Sequence, residues 1–224
     1  MLVKSPIKSS IFLSRFPEAV VKKIMDNSVL TNYKKGQMIF YQDALPFGVY
    51  FLEQGMVKLY REGPYGKNQI FQLIKDDEPF GYHAVLMEEA YPDSAETLTD
   101  CKIRFLPTHL FNEILASSKE ALMFMLKCLS VEFREFIQQE TILSQMPVRQ
   151  RVVRLLIDLK TFYKQEDGSI IVPLPRRDLA DLAGTVTESF VRVLKELKEC
   201  HAIEVNSKGH LVCKDISKLK ELRN

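Results

Sequence analysis

The sequence predicts an α+β protein in which a β-rich N-terminal section, a long helix and a mixed C-terminal section follow one another. Between Tyr33 and about Pro107, short runs rich in Val, Ile, Phe and Tyr alternate with Gly- and Pro-containing turn signals. Residues 109 to 145 contain few helix breakers. Beyond Pro147, amphipathic helical segments are mixed with short strands. Because no helical pattern interrupts the first set of strands, they predict a closed sandwich or barrel.

The composition is that of a globular protein. The chain has 224 residues, of which 46% are hydrophobic and 27% charged, which suits one large domain or two small ones. The net charge is only +2, so any binding of nucleic acid must depend on local clusters of charge. The N-terminus lacks the apolar core of a signal peptide, and the longest apolar run, 121–126, is far shorter than the ~20 residues of a membrane helix. We therefore expect a cytoplasmic protein.

The four cysteines do not form a metal-binding pattern. Cys101, Cys128, Cys200 and Cys213 are widely spaced, and no CxxC motif occurs. Ligation of a metal or of an iron–sulfur cluster favours closely spaced thiolates. The spacing therefore predicts reduced thiols, most of them buried.

The N-terminal section is predicted to begin with a helix. Phe12, Phe16, Val20 and Ile24 have helical spacing, and Pro17 lies near the helix start. Further on, VYFLEQGMVKLYRE predicts two strands around a Gly turn, and a second hairpin follows through EGPYGKNQ.

The long helix carries an apolar seam in steps of four and three residues. This spacing predicts that the helix pairs with another helix along its length, as in a dimer, whereas an ordinary buried amphipathic helix is the alternative. A second apolar face, with Met123, Met125 and Cys128, is expected to cover the barrel. The seam comprises Leu122, Leu126, Leu129, Phe133, Phe136 and Leu143, with Glu140 interrupting it.

The C-terminal section begins near Met146-Pro147. VRQRVVRLLIDLKTFYK predicts an amphipathic helix, SIIVPLP a strand after a turn at Asp167-Gly168, and AIEVNSKGHLVCKD a hairpin that turns at residues 207–209. The predicted domains are therefore a β-barrel with N-terminal helices, a long helix and a C-terminal domain, at residues 1–108, 109–146 and 147–224.

Residues 176 to 199 carry the strongest functional signal, a pair of helices around a tight turn at Gly184. The small Ala180 allows the helices to cross closely, and Thr185-Val186-Thr187-Glu188 predicts a capping box at the start of the second helix. The first helix would bury Leu179, Ala180, Leu182 and Ala183, and the second Phe190, Val193, Leu194 and Leu197.

This arrangement is typical of a helix-turn-helix whose second helix lies in the major groove of DNA, and the hairpin that follows is placed like the wing of a winged helix. Arg192 can bind guanine with two donors, and Glu188 can accept from the amino group of cytosine. Lys198 and Lys208 are suited to phosphate contact. A simple αα-hairpin with a solvated charged face is the alternative. The predicted DNA-binding residues are Arg176, Arg177, Thr185, Thr187, Glu188, Ser189, Arg192 and Lys195.

The order of these segments resembles the Crp/Fnr family of bacterial transcription regulators over nearly the whole chain. The residues that carry the resemblance are KKGQMIFYQDALPFGVYFLEQGMVKLYRE, EPFGYHAVL and RRDLADLAGTVTESFVRVLKEL. The resemblance implies an N-terminal double-stranded β-helix, that is, a cyclic-nucleotide-binding-like jelly roll that senses a signal. It further implies a homodimer with paired long helices, and C-terminal winged helices that bind a palindromic operator.

The reading helix keeps part of the family pattern. The resemblance places a Glu and, four residues later, an Arg on this helix, which correspond to Glu188 and Arg192. Cyclic-AMP-responsive members carry an arginine just before that Glu, where this chain has Thr187, so we expect an altered outer base preference. RNA polymerase is a further partner that the resemblance implies.

The segment GYHAVLMEEAYPDS, residues 81–94, departs from the family's phosphate cassette. Cyclic-nucleotide-binding members have Gly-Glu near its start and Arg-Ser near its end, where this chain has Gly81-Tyr82 and Asp93-Ser94. A carboxylate in place of the phosphate-binding arginine would repel the ligand, so we expect an effector other than cyclic AMP. The predicted effector pocket comprises Gly81, Tyr82, His83, Asp93, Ser94, Phe136 and Ile137.

No cofactor and no enzymatic activity are predicted. Oxygen-sensing members of the family bind an iron–sulfur cluster through N-terminal cysteines, which the position of Cys101 excludes, whereas a haem-sensing regulator that uses His83 is an alternative. Metal-dependent enzymes built on such barrels need two or three His and a carboxylate at one metal, and the barrel section contains only His83. A ligand-binding module that acts through a protein partner is the other alternative.

Overall fold

The computed structural model describes residues 16–163, 165, 169–214 and 216–222, which divide into two compact units between residues 134 and 135. The predictions at Phe12 and at Asp167-Gly168 lie outside the described residues. The strands of the first unit are β1 Val29–Tyr33, β2 Met38–Phe40, β3 Gly48–Gln54, β4 Val57–Glu62, β5 Asn68–Ile74, β6 Glu78–Phe80, β7 Ser94–Thr97 and β8 Cys101–Pro107. Its helices are α1 Glu18–Asn27, α2 Tyr82–Met87, α3 Thr108–Ser117 and the first part of α4 Lys119–Gln145.

The strands of the first unit form two four-stranded antiparallel sheets, in the orders β1-β8-β3-β6 and β2-β7-β4-β5. Within the described residues, no ladder joins one sheet to the other. The α+β fold class and the sandwich are therefore confirmed, but the closed barrel is wrong. One edge of each sheet is a strand of three residues, β2 or β6, which offers little backbone for a closing ladder.

The two strands predicted around Gly55 are both present, but they do not pair as a hairpin. The first, β3, lies in one sheet and the second, β4, lies in the other. Gly55 has a φ of +113° and lies against Asp100 and Cys101, where a Cβ atom would not fit. The turn therefore moves the chain between sheets. The next pair, β4 and β5, forms the predicted hairpin, with Glu62 opposite Asn68.

The segment predicted as one long helix is divided at Ser118. The backbone of Ser118 is extended, its N–H ends α3 by donating to Ile114, and its hydroxyl accepts the N–H of Ala121 at 3.1 Å. Ser118 therefore terminates one helix and caps the next. The predicted helix start at Pro17 is confirmed, since Pro17 directly precedes α1.

The inner face of α4 packs on the sandwich. Met125 and Cys128 are buried there, in a cluster with Val49, Tyr82 and other apolar residues, as predicted for this face. Met123, predicted to share it, is instead 55% exposed. Four residues of the predicted seam, Leu122, Leu126, Phe133 and Phe136, are exposed by 43–66%, whereas Leu129 packs against the cluster.

The second unit contains the end of α4 and a small mixed domain. Its sheet has the antiparallel order β10-β11-β9. The predicted helix after Pro147 is divided into two at Leu159, which is fully buried, and the hairpin predicted at residues 207–209 is confirmed. The elements are α5 Val148–Asp158, α6 Lys160–Tyr163, β9 Ile170–Val172, α7 Arg176–Leu182, α8 Thr187–Glu199, β10 Glu204–Val205, β11 Leu211–Cys213 and α9 Ile216–Glu221.

All four cysteines are free thiols, and Cys101, Cys128 and Cys213 are buried, as predicted. Cys200 is exposed and directly follows α8. None of the helices that the structure describes combines the length and the apolar character that a membrane crossing requires.

Candidate nucleic-acid interface and sensor cassette

Helices α7 and α8 pack around a tight turn at Gly184. Gly184 has a φ of +62°, a conformation that a side chain disfavours. The N–H of Thr185 closes the turn by donating to the carbonyl oxygen of Ala180 at 3.0 Å. Ala180 itself is fully buried, which lets the two helices approach closely. The predicted helix-turn-helix geometry is therefore present.

The buried faces of both helices are those predicted. Leu179, Ala180, Leu182 and Ala183 of the first segment, and Phe190, Val193, Leu194 and Leu197 of the second, are at most 4% exposed. The predicted capping box is wrong, however. Val186 occupies the N-cap position of α8, and no side chain caps this end. Since the box requires a hydroxyl residue at the N-cap, the helix begins one residue later than the motif needs.

Glu188 and Arg192 lie one turn apart on the exposed face of α8. Both side chains are exposed, and within the described part of the chain neither forms a hydrogen bond or an ion pair. Thr185, Thr187 and Ser189 are half-buried around the start of the helix. The face of α8 therefore presents a carboxylate and a guanidinium that are available to a ligand.

The predicted phosphate-binding residues are not equally available. Arg176 is half-buried, burial lowers its pKa, and its guanidinium donates to the carbonyl oxygen of Gly209 in the wing turn at 3.0 Å. Arg177 and Lys195 are exposed and lie 4.0 Å from Asp181 and Glu199, one turn away on the same helix. Exposed ion pairs of this length are weak, so both cations can exchange their partner for a phosphate.

The wing is the hairpin of β10 and β11. Asn206 shapes its turn, because its side-chain oxygen accepts the N–H groups of Lys208 and His210 at 3.0 Å each. Gly209 completes the turn with a φ of +79°. Lys208 is exposed at the tip.

In the first unit, the sensor cassette (residues 81–94) begins with Gly81, whose φ is +76°, followed by the short helix α2. Tyr82 is only 1% exposed, and its hydroxyl donates to the carboxylate of Glu132 on α4. Burial and the neighbouring Glu132 raise the pKa of Tyr82 well above its ordinary value. Tyr82, which stands where the family pattern has an acidic residue, is therefore buried and hydrogen-bonded within the protein.

His83 binds the same carboxylate. Its Nε2 lies 2.8 Å from the second oxygen of Glu132, and its ring stacks on Tyr82 with 4.3 Å between centroids. Burial alone would lower the pKa of His83, but the hydrogen bond and charge of Glu132, together with the charge of Asp93, raise it above its ordinary value. The first turn of α2 is thus joined to α4 through Glu132.

Asp93 and Ser94 close the cassette and are both buried. Burial raises the pKa of Asp93 to about 6, although the charges of His83 and Arg61 act in the opposite direction. Ser94 accepts the backbone N–H of Gln42 at 2.8 Å, and Arg61 donates to the carbonyl oxygen of Pro92 at 2.9 Å. The structure therefore places a buried carboxyl where the resemblance expects an arginine.

Phe136 and Ile137, predicted to line the same pocket, belong to the other compact unit and are 66% and 51% exposed. Their relation to the cassette stays a prediction. Glu132 and Arg61 were missed by sequence reasoning. Glu132 stands in no motif, and Arg61 belongs to the segment that ends in VKLYRE but was not predicted to lie near the cassette. Each reaches the cassette through a contact between residues at least 31 positions apart.

The described residues contain no cluster of side chains suited to a metal ion. Within the described ranges, His, Cys, Asp and Glu form no group of three that could hold an ion.

Both units contain a segment that matches a known protein domain. Residues 30–118 match the model of the cyclic nucleotide-binding domain, and residues 150–222 match that of the Crp-like helix-turn-helix domain. The chain belongs to the Crp/Fnr family of transcription regulators. As a member, it is a DNA-binding regulator and not an enzyme.

Individual members of the Crp/Fnr family are similar to it at low identity. The transcriptional regulator ArcR of Staphylococcus epidermidis is 22% identical over 209 residues, which is 89% of each chain. The cyclic AMP receptor protein of Thermus thermophilus is 28% identical over 75% of this chain and 76% of its own. The solved structure of FixK2 from Bradyrhizobium japonicum has a TM-score of 0.76 at 19% identity, over 88% of this chain and 98% of that one. This likeness shows the shared fold.

Proposed function

We propose that this Crp/Fnr regulator binds a palindromic operator as a homodimer and is controlled by a signal other than cyclic AMP. The observation that carries the proposal is the face of α8, where Glu188 and Arg192 are exposed and bind no other described residue. A guanidinium can donate twice to guanine, and a carboxylate can accept from cytosine, so the pair can read a base pair in the major groove. Arg177 and Lys195 flank them as exposed cations.

The exposed seam of α4 supports the dimer. Leu122, Leu126, Phe133 and Phe136 are large apolar side chains that a monomer leaves in water. Burial of such side chains contributes about 1.5–3 kcal/mol each, and their alternating spacing fits a partner helix. A second copy of α4 offers the same seam, because a two-fold interface is self-complementary. Two reading helices related in this way fit a palindrome with half-sites about one DNA turn apart.

The cassette argues against cyclic AMP. Tyr82 is buried with its hydroxyl bonded to Glu132, so it offers no group to a ribose. Asp93 adds a carboxyl at the end of the cassette, which would repel a cyclic phosphate once it is ionised. The effector is therefore a molecule or condition that does not require an anion site here.

The contact of the cassette with α4 provides a route for control. Tyr82 and His83 both bind Glu132, so a signal that rearranges α2 must change how α4 is held. Allosteric control needs a differential contact of this kind between two states.

The alternatives are less well supported. For haem, His83 would have to release Glu132, since its Nε2 is already bonded and its ring is stacked on Tyr82; the residues present do not fit the group. A module that acts only through a protein partner would leave the Glu188 and Arg192 pair without a role. RNA polymerase, as the resemblance implies, remains a predicted partner.

The proposal is tested by selecting tightly bound duplexes from random DNA with the wild-type protein. We expect enriched palindromes. Arg192→Ala should weaken binding to the selected duplex by about 1–3 kcal/mol and relax the preference at one position of each half-site. Lys198→Ala, which removes a cation from the last turn of the same helix, is the control and should leave the sequence preference unchanged. Enriched sequences that are the same for Arg192→Ala and wild type would contradict the assignment.

A further inference from the structure

Arg151 joins two parts of the second unit that are distant in sequence. It lies in the first turns of α5, and its guanidinium donates two hydrogen bonds to backbone carbonyl oxygens. One acceptor is Leu143 in the last turn of α4, at 2.9 Å, and the other is Gly184 in the turn between α7 and α8, also at 2.9 Å. The same side chain therefore holds the end of the long helix and the turn that starts the reading helix.

Both acceptors are groups that need a partner. The last four carbonyls of a helix have no donor within the helix, and Leu143 is one of them in α4, which ends at Gln145. A cation at this end is also favourable for the helix dipole. Gly184 has a left-handed backbone and lies outside both helices, so its carbonyl oxygen also lacks a helical donor.

The chemistry of arginine suits this double contact. Its donors form a rigid planar fork, so two carbonyl oxygens that bind it are held at a fixed separation. Arg151 is half-buried, and burial lowers its pKa, which marks a guanidinium partly removed from water. Its Nε is buried and has no partner among the described residues. The side chain is therefore positioned for the two contacts of its terminal nitrogens.

We propose that Arg151 is a positioning residue for DNA recognition, which fixes the start of α8 relative to the end of α4. The proposal rests on the proposed function, in which α8 binds DNA and α4, joined to the cassette through Glu132, transmits the signal. A displacement of the end of α4 moves the Leu143 carbonyl, and Arg151 then either carries the Gly184 turn with it or loses one of its bonds. In both cases the start of the reading helix responds.

Three variants test this role. Arg151→Met keeps the apolar stem and removes every donor, whereas Arg151→Lys keeps the charge but has a single ammonium that does not span both carbonyls. Arg154→Met is the matched control, since Arg154 lies one turn later on α5 and pairs at 3.6 Å with Asp158 of the same helix. Each protein is titrated with the duplex selected by wild type and with an unrelated duplex of equal length, at several salt concentrations, and its thermal midpoint is measured.

The measured quantity is the ratio of the affinity for the selected duplex to the affinity for the unrelated duplex. We expect this ratio to be at least about fivefold smaller in Arg151→Met and Arg151→Lys than in wild type, which is the lower end of typical coupling. Their affinity for the unrelated duplex and its salt dependence should stay at the wild-type value, and Arg154→Met should keep the full ratio. If Arg151→Met does not fold, Arg151→Lys decides by the same ratio.

Two results would overturn the proposal while leaving the proposed function intact. A lower thermal midpoint with an unchanged ratio would mean that Arg151 only stabilises the fold. An equal loss on both duplexes, with a salt slope smaller by about one, would mean that Arg151 contacts a phosphate directly. If the wild-type protein bound all duplexes with the same affinity, the proposed function would fail, and this inference with it.

Discussion

The sensor cassette and the helix-turn-helix have similar backbone geometry, but the polar side chains of their helices have different partners. In each, a glycine with a left-handed backbone, Gly81 or Gly184, comes shortly before a helix. The polar side chains of α2 then bind within their own unit, where Glu132 accepts from both Tyr82 and His83. On α8, by contrast, the side chains of Glu188 and Arg192 are exposed and have no partner among the described residues. Similar chain geometry thus builds an internal contact in one place and a binding surface in the other.

The difference teaches that the polar side chains of the cassette form hydrogen bonds that stabilise the fold. Glu188 and Arg192 of the reading helix form no such bonds and are available to a ligand. Substitutions in the cassette should therefore change stability, and substitutions on the exposed face of α8 should change DNA binding alone.

The largest effect is expected for Asp93→Asn. Because burial raises the folded-state pKa of Asp93 from 3.8 to about 6, the folded state binds the proton more tightly than the unfolded state. The resulting stabilisation is fully present below pH 3.8 and is lost as the pH rises through about 6. The ionised group therefore costs about 3 kcal/mol at higher pH. Denaturant unfolding at pH 8 should show Asp93→Asn to be more stable than wild type by about this amount.

The same comparison, repeated between pH 4 and 7, follows the titration of Asp93 together with that of His83, because the charge of Asp93 raises the pKa of His83. His83 and Arg61 are the charged groups that act on it, and both remain in the variant. Asp26→Asn, which removes an exposed carboxylate from the same unit, controls for the loss of one negative charge. Parallel stability curves for wild type and Asp93→Asn would show that Asp93 is not buried as described.

A smaller effect is expected for Tyr82→Phe. The variant removes the hydroxyl that donates to Glu132 and should lower the free energy of unfolding by about 1.5 kcal/mol, as for a hydrogen bond to a charged acceptor. Glu132→Gln is the matched variant, because it keeps an acceptor for Tyr82 and removes the charge. It should lower the pKa of His83, as read from the imidazole signals in an NMR titration. An unchanged His83 titration would mean that Glu132 does not hold the cassette.

The smallest effect on stability is expected on the reading helix. Glu188→Ala and Arg192→Ala remove exposed side chains without described partners, so each should change the free energy of unfolding by less than about 0.5 kcal/mol. The measurement is the same denaturant titration, made beside the DNA-binding assay. A loss of stability comparable to that of Tyr82→Phe would mean that these side chains are used within the fold, and the contrast between the two regions would then be lost.

The sequence predicted the helix-turn-helix well because its signals are local. The spacing of Leu179, Phe190 and Leu197 and the position of Gly184 determine both helices and their buried faces. The predicted capping box was wrong by one residue, because the position of a helix boundary depends on packing as well as on the cap.

The cassette was predicted only in part because its partners are remote in sequence. Tyr82 and Asp93 were identified as departures from the family pattern, but Glu132 lies 50 positions from Tyr82 and carries no motif. The same limit applies to strand pairing. The strands around Gly55 were predicted, but their assignment to different sheets depends on contacts with β7 and β8. Ser118 ended a helix where the surrounding residues favour its continuation.

The placement of the four cysteines has a practical consequence for spectroscopy. Three of the thiols are buried, while Cys200 is exposed and directly follows the reading helix. A thiol-reactive fluorophore or spin label would therefore attach at this one position in the native protein, without any cysteine having to be replaced. The wild-type chain thus carries a ready attachment point from which the motion of α8 can be followed as DNA or an effector is added.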